Sequence, residues 1–165
     1  NKFPDEPVTH NYKIREKHVT DFIKIHFAQK VLSYDKQIDG GCSRKRPDIF
    51  MDLYTHSIIV EIDEDQHKEY SCENKRMMQI FTDLANRNLV IIRFNPDKYI
   101  DENGKSIKSC FKYHKTLGIP IISDEVAWNI RLKLLKETIE YHIQNIPLKE
   151  FTPIELFFDK NDDIP

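Results

Sequence analysis

"PDIFMDLYTHSIIVEID", residues 47 to 63, decides the fold. Two β-rich runs meet around Tyr54-Thr55-His56, the pattern of two strands joined as a hairpin. Side chains alternate across a strand, so Asp48, Phe50 and Asp52 share one face of the first run. On the second run Ile59, Glu61 and Asp63 share a face, and Ile58, Val60 and Ile62 take the other. Antiparallel neighbours of this kind can present Asp48 and Glu61 to the same side of a sheet. The run continues as "VEIDEDQHKEY" (60 to 70), which crowds Glu61, Asp63, Glu64, Asp65 and His67 together. Like charges this close require solvation, protonation or a bound cation.

Working outward, residues 71 to 87 read as a helix with Met77, Ile80, Phe81 and Leu84 as its apolar stripe. "LVIIRF" (89 to 94), closed by Asn95-Pro96, reads as a third buried strand. Strand, helix, strand in that order predicts a parallel crossover, hence a mixed sheet and an α/β fold. Upstream, Ile14, Val19, Phe22, Ile23, Phe27 and Val31 recur at helical spacing over Tyr12 to about Leu32. "SYDKQI" (33 to 38) is a strand candidate ended by the turn Asp39-Gly40-Gly41. Downstream, an Asn103-Gly104 turn precedes a helix over about 124 to 145, with Ser123 as its expected cap and Pro147 as its stop. The expected organisation is an arm over 1–11, a domain over 12–146, and an extension over 147–165 with at most a short added strand and an acidic tail.

At 165 residues the chain suits one domain with a buried core. With 39% hydrophobic and 32% charged residues and a net charge of -2, it belongs with globular proteins and has no global need for a polyanion. Local basic clusters, "SRKRPD" (43 to 48) and "ENKR" (73 to 76), can still face a nucleic acid. No apolar run approaches the roughly 18 residues of a membrane span, and no signal-peptide pattern opens the chain. Cys42, Cys72 and Cys110 are an odd, dispersed set, which predicts a reducing, intracellular setting without membrane attachment or secretion. The first residue is Asn1 rather than Met, leaving room for additional domains in a longer parent chain.

Two carboxylates alternating onto one sheet face can hold a hard divalent cation through oxygen, with backbone carbonyls completing the shell. A solvated acidic loop is the bland alternative, but Glu61 and Asp63 sit inside the strand pattern rather than beyond it.

"RPDIFMDLYTHSIIVEIDEDQH", then "YSCENKR" and "LVIIRFN", resembles the PD-(D/E)xK nuclease superfamily, in the branch of very-short-patch mismatch-repair endonucleases and EDxHD homing endonucleases. The likeness spans about residues 12 to 99. It implies a restriction-endonuclease-like three-layer core, a mixed sheet flanked by helices. It also implies a DNA endonuclease dependent on Mg²⁺ or Mn²⁺, acting as a nicking enzyme or as a homodimer cutting both strands. Asp48 matches the first metal-binding aspartate and Glu61 the second acid, with the Ile62 carbonyl as a further ligand. Glu16 falls where the first helix of such enzymes supplies an acid, and His67 matches the histidine that activates the attacking water. The superfamily's lysine would stand two residues after Glu61, where this chain has Asp63, and Lys68 replaces the last aspartate of EDxHD; Asp63 stays among the catalytic candidates, and which of Asp63, Glu64 and Asp65 faces the metal is open.

Lys68 can supply the missing cation or face solvent. Arg46, Lys68, Lys75 and Arg76 are candidates for phosphate contact, Arg76 equally for an internal ion pair, and Gln79 lies one turn further along. Cys110 and His114, joined by Cys42 and Cys72, form a candidate structural zinc set, which such repair enzymes also contain; separate buried thiols are the alternative. His18, His26 and His142 lack acidic neighbours and are expected to be structural. Two other functions stand beside the nuclease: a catalytically silent nucleic-acid-binding module, and a zinc-stabilised interaction domain whose acids are solvated.

Overall fold

The computed structural model describes residues 14–34, 47–66 and 70–160, without the side chains at 32, 70–74 and 76. The expected arm, the Asp39-Gly40-Gly41 turn and the acidic tail beyond 160 lie outside the described residues, as do Cys42, Arg46, His67 and Lys68.

Five strands form the central sheet: β1 (Val31–Tyr34), β2 (Ile49–Asp52), β3 (Ser57–Ile62), β4 (Leu89–Phe94) and β9 (Phe151–Leu156), side by side in that order. β1 pairs with β2, and β2 with β3, antiparallel, whereas β3, β4 and β9 are mutually parallel, so the sheet is mixed as the strand-helix-strand order predicts. All six residues of β3 and all six of β4 are buried, which explains their near-continuous apolar sequences.

Each sheet face carries its own apolar layer. On one, Ile49, Met51, Ile58, Val60, Val90, Ile92 and Phe94 pack against α1 (Ile14–Phe27) and α3 (Glu125–Gln144), with Phe94 edge-on to Trp128. On the other, Phe50, Ile59, Leu89 and Ile91 pack under Met77, Ile80, Phe81 and Leu84 of α2 (Tyr70–Asp83). The alternation read from the sequence thus matches the separation of the two layers: Phe50 and Ile59 face α2 while Ile58 and Val60 face α1 and α3. Between β4 and α3 lie two small hairpins, β5 (Tyr99–Ile100) with β6 (Ser106–Ile107) and β7 (Phe111–Tyr113) with β8 (Pro120–Ile122). The first turns through Gly104 at φ +72, as its Asn-Gly pair predicts.

Three expectations need correcting. The first helix, expected to run to about Leu32, ends at Phe27, and Val31 opens β1 instead of continuing the helical stripe. The cap of α3 is Asp124, whose carboxylate accepts from the Ala127 N–H, whereas the Ser123 hydroxyl donates to the Cys110 carbonyl. The last segment contributes a full six-residue strand of the main sheet rather than a minor addition. Pro153 obscures it in sequence, but β9 is an edge strand, where a missing N–H is tolerated. No helix among the described residues is long and apolar enough to cross a membrane.

Candidate functional site

The three parallel strands end together, and each carries a charge one residue before its end. Glu61, Arg93 and Glu155 are paired in register across β3, β4 and β9. They continue the face that Ile59, Ile91 and Pro153 present, so the row borders the apolar layer beneath α2. Asp48 joins it from the other side: Ile49 pairs with Val60, so one step further brings Asp48 opposite Glu61. Its Oδ2 accepts a hydrogen bond from the Ile62 N–H at 2.8 Å. A residue's N–H and C=O point to the same side of a strand, so the Ile62 carbonyl is also directed toward the β2 side. Asp48 and Glu61, with the Ile62 backbone between them, therefore lie at the carboxyl ends of the parallel strands, the usual place for a ligand in such sheets. Glu61 is only 3% exposed.

The crowded acids after Glu61 part in different directions. Asp63 turns to Arg93, Oδ2 to Nε at 2.5 Å, and the same guanidinium reaches Glu155 Oε1 at 3.2 Å. Glu64 opens a single 3-10 turn (Glu64–Gln66) and reaches Arg15 of α1 at 3.3 Å. Burial pushes its carboxyl above the ordinary range, Arg15 pulls it down, and the negative charges of Asp97, Asp65 and Glu16 push it up again. Glu16 thus belongs to the surroundings of Glu64. Asp65 is exposed, at φ +54, and gives its backbone N–H to Asp97 Oδ2 at 2.9 Å.

Asp97 anchors this end of the molecule. Its Oδ2 also accepts from Arg15 at 3.0 Å, its Oδ1 from the Ser109 hydroxyl at 3.2 Å, and its N–H donates to Asn95 Oδ1. Arg131 of α3 donates to the carbonyls of Asn95, Asp97 and Lys108, holding the backbone that carries Asp97. Gln66 closes the turn on the C-terminal side by donating to Asp159 and to the Lys98 carbonyl, while accepting from the Asp159 N–H. The loops after β3 and β4 are consequently locked to each other, to α1 and to the segment following β9.

No family model, curated protein or solved structure matches this chain. The site stands on its residues alone.

Of the basic candidates, Lys75 is exposed on the first half of α2, and Gln79 beyond it is half-buried. The candidate zinc residues Cys110 and His114 have separate surroundings. Burial pushes the Cys110 thiol up, which disfavours the thiolate that binds metal, while His114 Nδ1 accepts from the N–H groups of Thr116 and Leu117. No group of three or more His, Cys, Asp or Glu side chains is gathered for a metal among the described residues. Asp63 and Glu64 are drawn to arginines, and the acids that the strand register places opposite each other are Asp48 and Glu61, beside the Ile62 backbone. An all-oxygen set of this size suits a hydrated Mg²⁺ or Mn²⁺, which keeps several waters and takes one or two carboxylates.

Nothing in the sequence pattern marks Glu155, Arg15 or Asp97 as parts of this end of the molecule. Arg93 carries one local signal, a lone cation inside an apolar strand.

Proposed function

We propose that the protein is a divalent-metal-dependent endonuclease that hydrolyses DNA phosphodiester bonds on a restriction-endonuclease-like core. The observation that carries this reading is the placement of Asp48 opposite Glu61, beside the Ile62 carbonyl, at the carboxyl ends of the parallel strands. The order of its elements also supports it: a helix, three antiparallel strands, a crossover helix and a parallel strand.

Asp48, Glu61 and the Ile62 carbonyl would hold Mg²⁺ or Mn²⁺, which when bound supplies Lewis acidity toward a phosphodiester. The remaining work falls to the chain. The Ile62 N–H fixes the Asp48 carboxylate. Burial of Glu61 keeps its carboxylate oriented and shielded from salt. Arg93 is a fixed positive charge in the same row, against the excess of carboxylates. In this reading His67 takes a proton from the attacking water, for which an imidazole near neutral pH is suited. Lys75, with Arg46 and Arg76, supplies phosphate contacts along the backbone of the substrate.

A supercoiled plasmid tests this with Mg²⁺, Mn²⁺ or EDTA, wild type against Asp48→Ala. Metal-dependent nicking or linearisation that disappears in the variant is expected. Equal cleavage by the two proteins would remove Asp48 from the site. Binding without cleavage under every metal condition would favour the catalytically silent module instead.

A further inference from the structure

We infer that the β7–β8 hairpin is a DNA-backbone contact, with Lys112 and Lys115 as its phosphate-binding cations, which lays the duplex beside the candidate site. The inference rests on the nuclease reading for its ligand and adds where that ligand is gripped.

Over the whole chain acids outnumber lysines and arginines, 27 to 25. From Asn103 to Ser123 the balance reverses: Lys105, Lys108, Lys112 and Lys115 are met by no Asp or Glu. All four lysines are exposed, and none takes part in an ion pair among the described residues. Their field is left to an external polyanion.

The hairpin presents two of them in fixed positions. Phe111 is buried, edge-on to Trp128 with ring centroids 4.9 Å apart, and Tyr113 shares its side of the strand. Lys112 alternates to the other side, away from the core. Lys115 stands at the tip, where His114 Nδ1 accepts from the N–H groups of Thr116 and Leu117. The Gly118 N–H donates to the His114 carbonyl at 2.9 Å, and Gly118 closes the tip at φ +64. Cations on a preorganised hairpin lose little freedom on binding.

The hairpin also adjoins the site. The Phe111 N–H donates to Ser109 Oγ, whose hydroxyl donates to Asp97. The Tyr113 hydroxyl accepts from Arg15 Nη2 at 3.3 Å, and its ring lies 5.7 Å from the guanidinium carbon. Nη1 of the same guanidinium reaches Glu64, in the turn that leaves Glu61. One side chain thus links the hairpin to that turn. The Tyr113 ring is 64% exposed between the two lysines, an aromatic surface on which a sugar or base can pack. The tip has one fully exposed large aliphatic side chain, Leu117, too little for a face that inserts into lipid.

The test titrates a fluorescent duplex with the full chain in EDTA at roughly 50 to 200 mM KCl, beside plasmid nicking in Mg²⁺. Both lysines are exposed, so Lys112→Ala with Lys115→Ala keeps the fold, which circular dichroism checks. This variant should bind about tenfold or more weakly at low salt, with the slope of log K against log salt lowered by about two, one per phosphate contact. In nicking, KM should rise by about tenfold while kcat stays within about twofold of wild type. The control Lys133→Ala with Lys136→Ala, lysines of α3 that meet Glu137 and Glu140, should leave the slope unchanged. A slope within about half a unit of wild type in the hairpin variant overturns the inference. So does an equal effect in the control, which would mean that net charge alone acts. Unchanged DNA binding with lost binding to phosphatidylserine vesicles also overturns it, assigning the lysines to a membrane. DNA binding that the hairpin variant weakens, without cleavage by wild type in Mg²⁺ or Mn²⁺, overturns the nuclease reading and supports the hairpin contact. Cleavage that both proteins perform alike at every plasmid concentration overturns the hairpin contact and supports the nuclease reading. Wild type that neither binds nor cuts overturns both.

Discussion

Replacing Asp97 by alanine should be among the most damaging single changes in the protein, because this carboxylate is 3% exposed and serves three donors from three elements. The change removes an acceptor from Arg15, whose side chain is 10% exposed, and strands the Asp65 N–H and the Ser109 hydroxyl. Breaking a buried ion pair from one side costs about 3–5 kcal/mol, chiefly through the charge left behind. Arg15 keeps Glu64 at 3.3 Å and the Tyr113 hydroxyl at 3.3 Å, so the lower end, about 3 kcal/mol, is expected. For a chain of this size that corresponds to a fall of roughly 6–12 °C in Tm. Asp97→Asn keeps the shape and one acceptor oxygen and should lose about half as much. The assay is thermal and urea unfolding of both variants beside the exposed control Glu102→Ala, which should change stability by less than about 0.5 kcal/mol. A loss below about 1 kcal/mol in Asp97→Ala would refute the reasoning, because the Arg15 charge would then have to be satisfied without Asp97.

Two further outcomes follow from other elements. Asp124→Ala removes the side-chain cap of α3 and should cost about 1 kcal/mol in urea unfolding, with Asp124→Ser recovering most of it. Asp52 receives two hydrogen bonds from Arg87, at 2.7 and 2.8 Å, and these hold its carboxyl below the ordinary range. Its stabilisation is therefore fully present above about pH 4 and is lost as pH falls through the lowered folded value. Asp52→Asn should accordingly reduce stability at pH 7 by about 1 kcal/mol and flatten the acid limb of a stability profile measured from pH 5 to 2.

The sheet was legible because burial writes itself into sequence. The two-residue alternation of "PDIFMDLYTHSIIVEID" separates the residues that face α2 from those that face α1 and α3, and "LVIIRF" is apolar because both of its faces are covered. The same alternation set Asp48 opposite Glu61, since both lie in strands paired as a hairpin. What the sequence concealed depends on contacts between distant segments. Arg93 is a partner of Asp63 only because β4 lies parallel to β3 in a register that no local pattern encodes. Arg15 looks like any charge near a helix start, yet it is buried against Asp97, 82 residues away in the chain. Ser123 and Asp124 are both good caps, and the path of the backbone leaving β8 decides between them. The two arginines, both distant in sequence, decide how the crowded acids part: Glu61 is buried in the sheet, Asp63 and Glu64 are claimed by arginines, and Asp65 faces solvent.

The most direct measurement is nicking of supercoiled plasmid by Glu61→Gln at saturating Mg²⁺, with circular dichroism to show that the fold is kept. Glutamine preserves the size of the side chain and removes only its charge, so the account predicts a rate lowered by about a hundredfold or more with unchanged structure. Wild-type nicking by folded Glu61→Gln would contradict it.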